Sequence, residues 1–147
     1  MSRPLLIFVA GPYTNPSAPE RERNVSIVHQ VVKNLIKKGH FILECHSLEH
    51  AFSADNELMH ADFLRQTLNW LDKCDAIYFV SPSPGANLEL TRAKVLGIRI
   101  FHSLEEIPSV SGAQEDVEKV RHQFHAERGR LGIGQDAEMR DSQAAGQ

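Results

Sequence analysis

The sequence predicts an α/β fold in which helices cover both faces of a parallel sheet. Short apolar runs with the length of buried strands alternate with longer segments whose apolar residues recur at helical spacing. Such alternation is typical of βαβ units, which build parallel sheets. The chain has 147 residues, of which 41% are hydrophobic and 24% charged, so it is long enough for one domain with its own core.

Four apolar runs mark the strands, and a turn or a helix follows each of them. Gly11-Pro12 ends the first run, and a segment with two prolines ends the third. The predicted strands are Leu5–Ala10, Phe41–Cys45, Ala76–Val80 and Ile98–Phe101. Three helices are predicted between these strands. The first begins after the N-cap Asn24 and ends before Gly39, the second spans Glu57–Lys73, and the third spans Ala86–Leu96.

Three predicted loops lie beyond the carboxyl ends of the strands, where open parallel sheets bind their ligands. They are Gly11–Arg23, Cys45–Asn56 and Ser81–Asn87, and the second is interpreted as an extended loop or a broken turn. These loops are also richest in glycine, proline, histidine and hydroxyl residues. We therefore expect the functional site at this edge of the sheet.

Residues 1–112 are predicted to form the domain, and the rest of the chain has a different character. Residues 113–128 combine a stripe of Val117, Val120 and Phe124 with many charged residues, which predicts a peripheral helix. Residues 129–147 lack aromatic residues and apolar periodicity, which predicts a disordered tail.

Composition restricts the classes of function and partner. The formal net charge of −3 does not suggest binding to polymeric nucleic acid, and no apolar run approaches the length of a membrane span. The two cysteines, Cys45 and Cys74, form neither a metal-spaced cluster nor a disulfide framework, which fits a reducing compartment. The apolar start at Leu5–Ala10 is too short for a signal peptide, so we expect a cytoplasmic protein.

The third loop leads into a helix whose predicted first turn holds one carboxylate, Glu89. Unpaired N–H groups and partial positive charge at a helix start suit a phosphate or a sugar hydroxyl at Ser81, Ser83 and Gly85. The same field favours an ionised Glu89, which can act as a nucleophile or stabilise the cationic transition state of glycosyl transfer. The alternative is an acid that only stabilises the helix from a solvated face.

The other two loops hold further candidates for ligand binding. Gly11 lets a ligand approach the backbone closely, and Tyr13 either contacts a ligand or covers the edge of the core. His46 and His50 are four residues apart without an evident third zinc ligand, so we favour polar loop groups and expect no metal. The glycine spacings of a P-loop and of a dinucleotide fingerprint are absent, and no cofactor is expected.

Several short motifs occur in a fixed order along the predicted domain. They are "IFVAGPYTNP" from Ile7, the Asn24-Val25 pair, Cys45-His46 with His50, "LDKCDA" from Leu71 and "PSPGANLELTRAKVLGIRI" from Pro82. Together they resemble the nucleoside 2-deoxyribosyltransferase-like superfamily. The nearest branches are small bacterial and phage proteins of unassigned function and the 2′-deoxynucleoside 5′-monophosphate N-glycosidases. The resemblance covers about residues 4–103, and the block from Pro82 to Gly97 is its most specific part.

The resemblance implies a Rossmann-like, flavodoxin-like three-layer sandwich with a parallel sheet of four to five strands, and cleavage of an N-glycosidic bond. It places the family nucleophile on Glu89, four residues after the family glycine at Gly85. The serine that binds the 5′-phosphate in the nucleotide hydrolases falls on Ser83, and the glycine–aromatic loop falls on Gly11 and Tyr13. It also implies a homodimer or a higher homo-oligomer in which a neighbouring subunit completes each site.

One position departs from the pattern of this superfamily. Relatives place an aspartate eight residues before the aspartate of "CDA", which is Asp75 here, and that position holds Thr67. Threonine forms hydrogen bonds but supplies no acid of useful pKa. Either another acid serves, with Asp55, Glu57 and Asp62 as candidates, or catalysis is weak, or the protein binds its ligand without cleaving it.

Two further expectations concern the phosphate and the assembly. Arg21 and Arg23, in the first loop, are predicted to reach a 5′-phosphate bound at the third loop. The predicted helix Glu57–Lys73 has apolar residues on more than one face, including Phe63 and Trp70, which favours a helix that serves both the core and a subunit interface.

We therefore interpret the chain as a cytoplasmic N-glycosidase that hydrolyses a (deoxy)nucleoside 5′-monophosphate through Glu89, with water resolving the glycosyl-enzyme. The alternatives are a nucleoside 2-deoxyribosyltransferase and a catalytically silent nucleotide-binding module. The expected partner is a small nucleoside or nucleotide, not polymeric nucleic acid or a membrane. The predicted catalytic residue is Glu89, and the predicted substrate-binding residues are Gly11, Tyr13, His46, Thr67, Ser81, Ser83, Gly85 and Asn87.

Overall fold

Helices cover both faces of a parallel sheet, as the sequence predicts. The structure, a computed structural model, describes residues 3–133. Within these residues the strands are β1 (Leu6–Ala10), β2 (Phe41–Leu43), β3 (Ala76–Phe79) and β4 (Arg99–Phe101). They form one parallel sheet in the order β2-β1-β3-β4, which matches a flavodoxin-like order through its fourth strand. The predicted Rossmann-like α/β class, with four strands in the described part, is confirmed.

The helices connect the strands in the right order for parallel crossovers. Over residues 3–133 they are α1 (Ala18–Lys37), α2 (His46–Ala51), α3 (His60–Trp70), α4 (Pro84–Leu96) and α5 (Ala113–Leu131). Short 3-10 turns follow α3 at Leu71–Lys73 and β4 at Leu104–Glu106. No helix of the described part combines the length and the apolarity that crossing a membrane requires.

Helix α1 starts earlier than predicted, so the expected N-cap at Asn24 is wrong. Ser17 occupies the N-cap position, and Pro19 lies in the first turn, where its missing N–H costs nothing. The first two turns are polar and exposed, so apolar periodicity does not reveal them. The Asn24 amide instead donates a hydrogen bond of 3.3 Å to the carbonyl of Tyr13 and fixes the loop after β1.

The segment after β2, predicted to be an extended loop or a broken turn, forms the short helix α2. Six residues without an apolar stripe carry no helical period that the sequence alone can reveal. The Glu44 carboxylate accepts the backbone N–H of Ser47 at 3.0 Å, which satisfies one of the unpaired groups at the helix start. This helix places His46 and Glu49 one turn apart on one face.

The core has two apolar layers, because alternate residues of β1 point to opposite faces of the sheet. One layer includes Ile7 and Val9 and packs against Val28 and Leu35 of α1. The members of the other layer are Phe8, Ala10, Leu71, Cys74, Ile77, Phe79, Ala86 and Ala93. The second layer therefore anchors the start of α4 through Ala86.

The chain divides into two compact units, with the boundary between Ser111 and Gly112. In the second unit, α5 continues to Leu131, past the predicted end at residue 128. The predicted stripe of Val117, Val120 and Phe124 is more than half exposed. Residues 134–147, which make up most of the predicted tail, lie outside the described residues.

Candidate active site

A cleft lies beyond the carboxyl ends of β1 and β3, at the edge where the sequence predicts the site. It is lined by the loop after β1, helices α2 and α3, and the start of α4. The predicted residues that line it are Gly11, Tyr13, His46, Thr67, Ser83, Gly85 and Glu89. Two other predicted residues do not line the cleft: Ser81 is half-buried and Asn87 is exposed.

Glu89 lies inside the protein and not on a solvated face of its helix. Its residue surface is 6% exposed, and burial raises the pKa of its carboxyl to about 7. A hydrogen bond from Thr67 and the charge of His60 act in the opposite direction, while the nearby Glu49 adds to the increase. Near neutral pH this group therefore exists in both protonation states.

The start of α4 explains why the helix field does not keep Glu89 fully ionised. The helix begins at Pro84, with the Ser83 hydroxyl accepting the backbone N–H of Ala86 at 3.1 Å as N-cap. Glu89 therefore lies in the second turn and not in the first turn that the sequence predicted. Because the field of a helix terminus fades within one turn, burial determines the direction of the pKa change.

Thr67, at the position where the resemblance leads us to expect an aspartate, is buried beside Glu89. Its hydroxyl oxygen lies 3.1 Å from the carbonyl oxygen of Leu64, one turn earlier in α3. A hydroxyl has one proton to donate, so Thr67 donates either to this carbonyl or to the Glu89 carboxylate. When the hydroxyl donates to Glu89 it supports the charge of that carboxylate, and in neither arrangement does it supply an acid.

Two histidines of α2 fix the loop after β1. The buried His46 donates from Nε2 to the carbonyl of Gly11 at 3.0 Å, and burial lowers the pKa of its imidazole. The Tyr13 hydroxyl lies 3.1 Å from Nδ1 of His50, and burial raises the pKa of that hydroxyl. Gly11 packs closely on Val80, because an added Cβ would lie 3.1 Å from the Cβ of that valine. These contacts hold Tyr13 at the rim of the cleft.

The cleft also contains an acid and a histidine that sequence reasoning missed. Glu49 of α2 is buried, and its Oε1 lies 2.5 Å from Nδ1 of His60 at the start of α3. This hydrogen bond raises the pKa of His60 above its ordinary value. The spacing of His46 and Glu49 would have revealed them as neighbours, had the segment been recognised as helical.

None of the acids proposed as substitutes for the expected aspartate lines the cleft with Glu89, although Asp55 lines a neighbouring cavity together with His60. Asp55 accepts the backbone N–H groups of Glu57 at 2.7 Å and Leu58 at 3.2 Å, which closes a turn. Asp62 accepts the backbone N–H of Met59 at 2.7 Å and stabilises the start of α3. Glu57 is exposed, and none of the three acids lines the cleft with Glu89.

A second cavity of about 190 Å³ adjoins the cleft, which is narrower and measures about 30 Å³ in the same terms. The two share Tyr13, Glu49 and His60 among their lining residues, so these side chains stand at the junction. The wall of the second cavity includes Phe52, whose ring centroid lies 6.3 Å from that of Phe63. A flat apolar ring can therefore lie beside the aromatic wall while a polar group enters the cleft.

The predicted phosphate-binding arginines do not line the cleft that contains Ser83. Arg21 lines the second cavity, and its Nη1 donates to the carbonyl of Asn15 at 2.5 Å. The Arg23 side chain is exposed and lies 3.9 Å from Glu20 in the same helix. Of the predicted phosphate contacts, Ser83 is the side chain that lines the cleft.

Besides Glu89, the cleft contains the thiol of Cys45, another potential nucleophile whose pKa is shifted. Burial raises the pKa of the Cys45 thiol to about 12, with the charges of Glu49 and Glu89 adding to the effect. A thiol is a poor nucleophile, so Cys45 is inert at neutral pH. Over residues 3–133, no three His, Cys, Asp or Glu side chains are grouped closely enough to hold a metal ion.

No protein-family model and no curated protein matches the chain. Among solved structures, it is similar to BcmB, a CMP N-glycosidase of Clostridium botulinum, with a TM-score of 0.45 and 14% sequence identity. The match covers 79% of this chain and 98% of that chain.

Proposed function

We propose that this protein hydrolyses the N-glycosidic bond of a (deoxy)nucleoside 5′-monophosphate with Glu89 as the nucleophile. The observation that carries the proposal is a buried carboxyl of pKa about 7 inside a cleft at the ligand-binding edge of the sheet. Strongly shifted acids in clefts are typical of catalytic groups. Another potential nucleophile of the cleft, Cys45, is held as a thiol.

The chemistry follows from the charge of Glu89. Its carboxylate attacks the anomeric carbon as the bond to the base breaks and positive charge develops on the sugar. A buried carboxylate stabilises such a cation more strongly than a solvated one, because the surrounding dielectric constant is low. Water then attacks the glycosyl ester, which releases the sugar phosphate and restores the carboxylate.

Thr67 supports the charged form of Glu89 during this cycle. Before attack, its hydroxyl donates to the carboxylate and lowers the pKa of Glu89. In the glycosyl ester the charge is gone, and the same proton can turn to the carbonyl of Leu64, 3.1 Å away. Threonine thus fits a role in orientation at the position where relatives hold an aspartate.

The monophosphate part of the proposal rests on Ser83 and the start of α4. The Ser83 hydroxyl lines the cleft at a helix N-terminus, where backbone N–H groups favour an anion. One charge-assisted hydrogen bond is worth roughly 1.5–3 kcal/mol, or about 10- to 150-fold in affinity. We expect calorimetry with the inactive Glu89→Gln variant to show this preference for a monophosphate over its nucleoside. Equal affinities would favour a nucleoside as the substrate.

The direct test of the activity is a screen of nucleosides and their 5′-monophosphates for release of free base. We expect the wild type to release base from a monophosphate and Glu89→Gln to lose this activity while keeping its fold. Adding a second free base distinguishes the transferase alternative, because a transferase then forms a new nucleoside. Ligand binding without any base release would instead indicate a silent binding module.

Cytoplasmic location and homo-oligomeric assembly are further parts of the proposal. Phe63 of α3 lines the cleft, whereas Trp70 packs against the second core layer. Exposed apolar side chains on α4, Leu88 and Val95, are available for contact with a second subunit. Light scattering at micromolar concentration tests the assembly, and a strict monomer would exclude a site shared between subunits.

A further inference from the structure

Departure of a nucleobase requires a proton, and neither Glu89 nor Thr67 is suited to provide it. A base that leaves as an anion is a poor leaving group, so enzymes protonate it as the bond breaks. Glu89 must be ionised to attack, and the hydroxyl of Thr67 is far too weak an acid. The proposed reaction therefore needs a second proton-carrying group beside the glycosidic bond.

The Glu49–His60 pair stands where this bond must lie. Both residues line the cleft that holds Glu89 and also the adjoining aromatic cavity. A sugar bound against Glu89 with its base in the adjoining cavity places the glycosidic bond at the junction between them. The His60 side chain is 41% exposed, so its ring can exchange protons with solvent, while the Glu49 side chain is 10% exposed.

The second ring nitrogen of His60 lies near the start of α4, at the cleft that holds Glu89. Nδ1 of His60 is held by Glu49 at 2.5 Å, which leaves Nε2 as the nitrogen that can serve a substrate. Nε2 lies close to the first turn of α4, since a Cβ added to Gly85 would be 3.1 Å from it. Gly85 therefore provides the space that the imidazole occupies.

We propose that His60, oriented by Glu49, is the general acid and base of this cleft. The inference rests on the proposed N-glycosidase function and assigns the proton transfers that the function requires. Glu49 is a positioning residue, because it acts through the imidazole and not on the substrate. The carboxylate fixes Nδ1–H and favours the imidazolium.

The proton balance closes over the two steps. In the first, the Glu89 carboxylate bonds to the anomeric carbon, the C–N bond breaks, and the base nitrogen takes a proton from Nε2 of His60. In the second, neutral His60 takes a proton from water as the water oxygen bonds to the anomeric carbon and Glu89 leaves. The pair is thus returned to its starting state, with one water consumed.

A comparison of leaving groups tests this assignment. The substrates are a nucleoside 5′-monophosphate and 4-nitrophenyl deoxyriboside 5′-phosphate, whose nitrophenolate departs without a proton. We expect His60→Gln to slow base release by about 10²- to 10⁴-fold and to change nitrophenolate release only a few-fold. Glu89→Gln is expected to abolish both reactions, because it removes the nucleophile. His29→Gln, at an exposed histidine of α1 outside the cleft, is the matched control.

Two more variants separate positioning from general structural damage. Glu49→Gln is expected to move the alkaline limb of the pH–rate profile to lower pH, because His60 loses the carboxylate that favours its imidazolium. Several other charged or titratable side chains line the two cavities with His60, and all of them are unchanged in this variant: Tyr13, Arg21, His46, Asp55 and Glu89. Gly85→Ala is expected to displace the imidazole and lower the ratio of base release to nitrophenolate release, while alanine favours the helix.

The outcomes separate this proposal from the proposed function. Selective loss of base release in His60→Gln and Gly85→Ala supports the proton-transfer role. Equal loss of both reactions in these variants, or no loss, overturns this role and leaves Glu89 as the nucleophile. A wild type that releases neither base nor nitrophenolate overturns both proposals together.

Discussion

Two acids lie beyond opposite ends of strand β3 and differ in their surroundings and in the direction of their pKa shifts. Asp75 precedes the strand, and its carboxylate accepts the backbone N–H of Leu6 at 2.9 Å and a hydrogen bond from Arg3 at 3.1 Å. These bonds lower the pKa of Asp75. Glu89 lies beyond the other end of the strand, where burial raises the pKa to about 7.

The difference separates an acid that holds the fold from an acid that is available for chemistry. Asp75 connects the start of β3 to β1, since its own backbone N–H also donates to the carbonyl of Leu6 at 2.8 Å. The pKa of Glu89 is set by burial and by the side chains of Thr67, His60 and Glu49. The two neighbouring motifs therefore differ in role: one contains a structural acid, Asp75, and the other contains a catalytic candidate, Glu89.

The sharpest contrast between the two acids is expected in activity. Glu89→Gln should lower base release by at least about 10³-fold, because an amide cannot attack the anomeric carbon. Asp75→Asn should leave kcat per folded molecule within a few-fold of the wild type, because Asp75 does not line the cleft. Steady-state assays on protein quantified by active fold, with circular dichroism as the control, measure both. Comparable losses in the two variants would remove the distinction.

The two substitutions are expected to change stability in opposite directions. Asp75→Asn should lower the free energy of unfolding by about 1–3 kcal/mol, because hydrogen bonds to a charged group are lost. Glu89→Gln should raise it at pH 8 by on the order of 1–2 kcal/mol, since no buried charge remains. Urea unfolding of both variants and the wild type measures these changes.

The pH dependence fixes the sign of the Glu89 effect. The folded protein binds the Glu89 proton more tightly than the unfolded chain, so stability falls as pH rises from 4.5 to about 7. This rise in pKa corresponds to roughly 3 kcal/mol at most, before any compensation by water or relaxation. The gain from Glu89→Gln should therefore vanish at pH 4. A constant gain at pH 4 and pH 8 would show that Glu89 is not buried in its charged form.

The sequence predicts the sheet better than the cleft. The strands are continuous apolar runs, and Leu6–Ala10 and Ala76–Phe79 lie within one residue of their predicted limits. Helix α2 carries no such signal, because its six residues have no apolar period. Because α2 is not recognisable from the sequence, Glu49 was not predicted as a site residue. Its partner His60 comes beside it only through the packing of α2 and α3.

The position of Glu89 along α4 shows a second limit. The resemblance identifies Glu89 as the candidate nucleophile because it follows Gly85 by four residues. The start of the helix, however, depends on Ser83 and Pro84 and not on the spacing of apolar residues. The predicted first-turn position implied a stabilised carboxylate, whereas the observed second turn and burial imply a raised pKa. Burial is a tertiary property that the local sequence does not contain.

The smallest expected effect concerns Thr67. Thr67→Val keeps the shape of the side chain and removes the hydrogen bond that lowers the pKa of Glu89. The acid limb of the pH profile for kcat/KM should therefore move to higher pH, with a loss of about 3- to 10-fold at pH 6.5 and little change at pH 8.5. An unchanged acid limb would indicate that this hydroxyl is committed to Leu64.

The most direct test of the account is the detection of a sugar ester on Glu89. A 2-fluoro-substituted nucleoside 5′-monophosphate slows both steps, because fluorine destabilises the cationic transition state, and it allows the intermediate to accumulate. Mass spectrometry of the quenched protein should show the mass of one fluorosugar phosphate, and peptide mapping should place it on Glu89 in the wild type and nowhere in Glu89→Gln. Base release with the adduct on another residue, or at an undiminished rate in Glu89→Gln, would contradict the account.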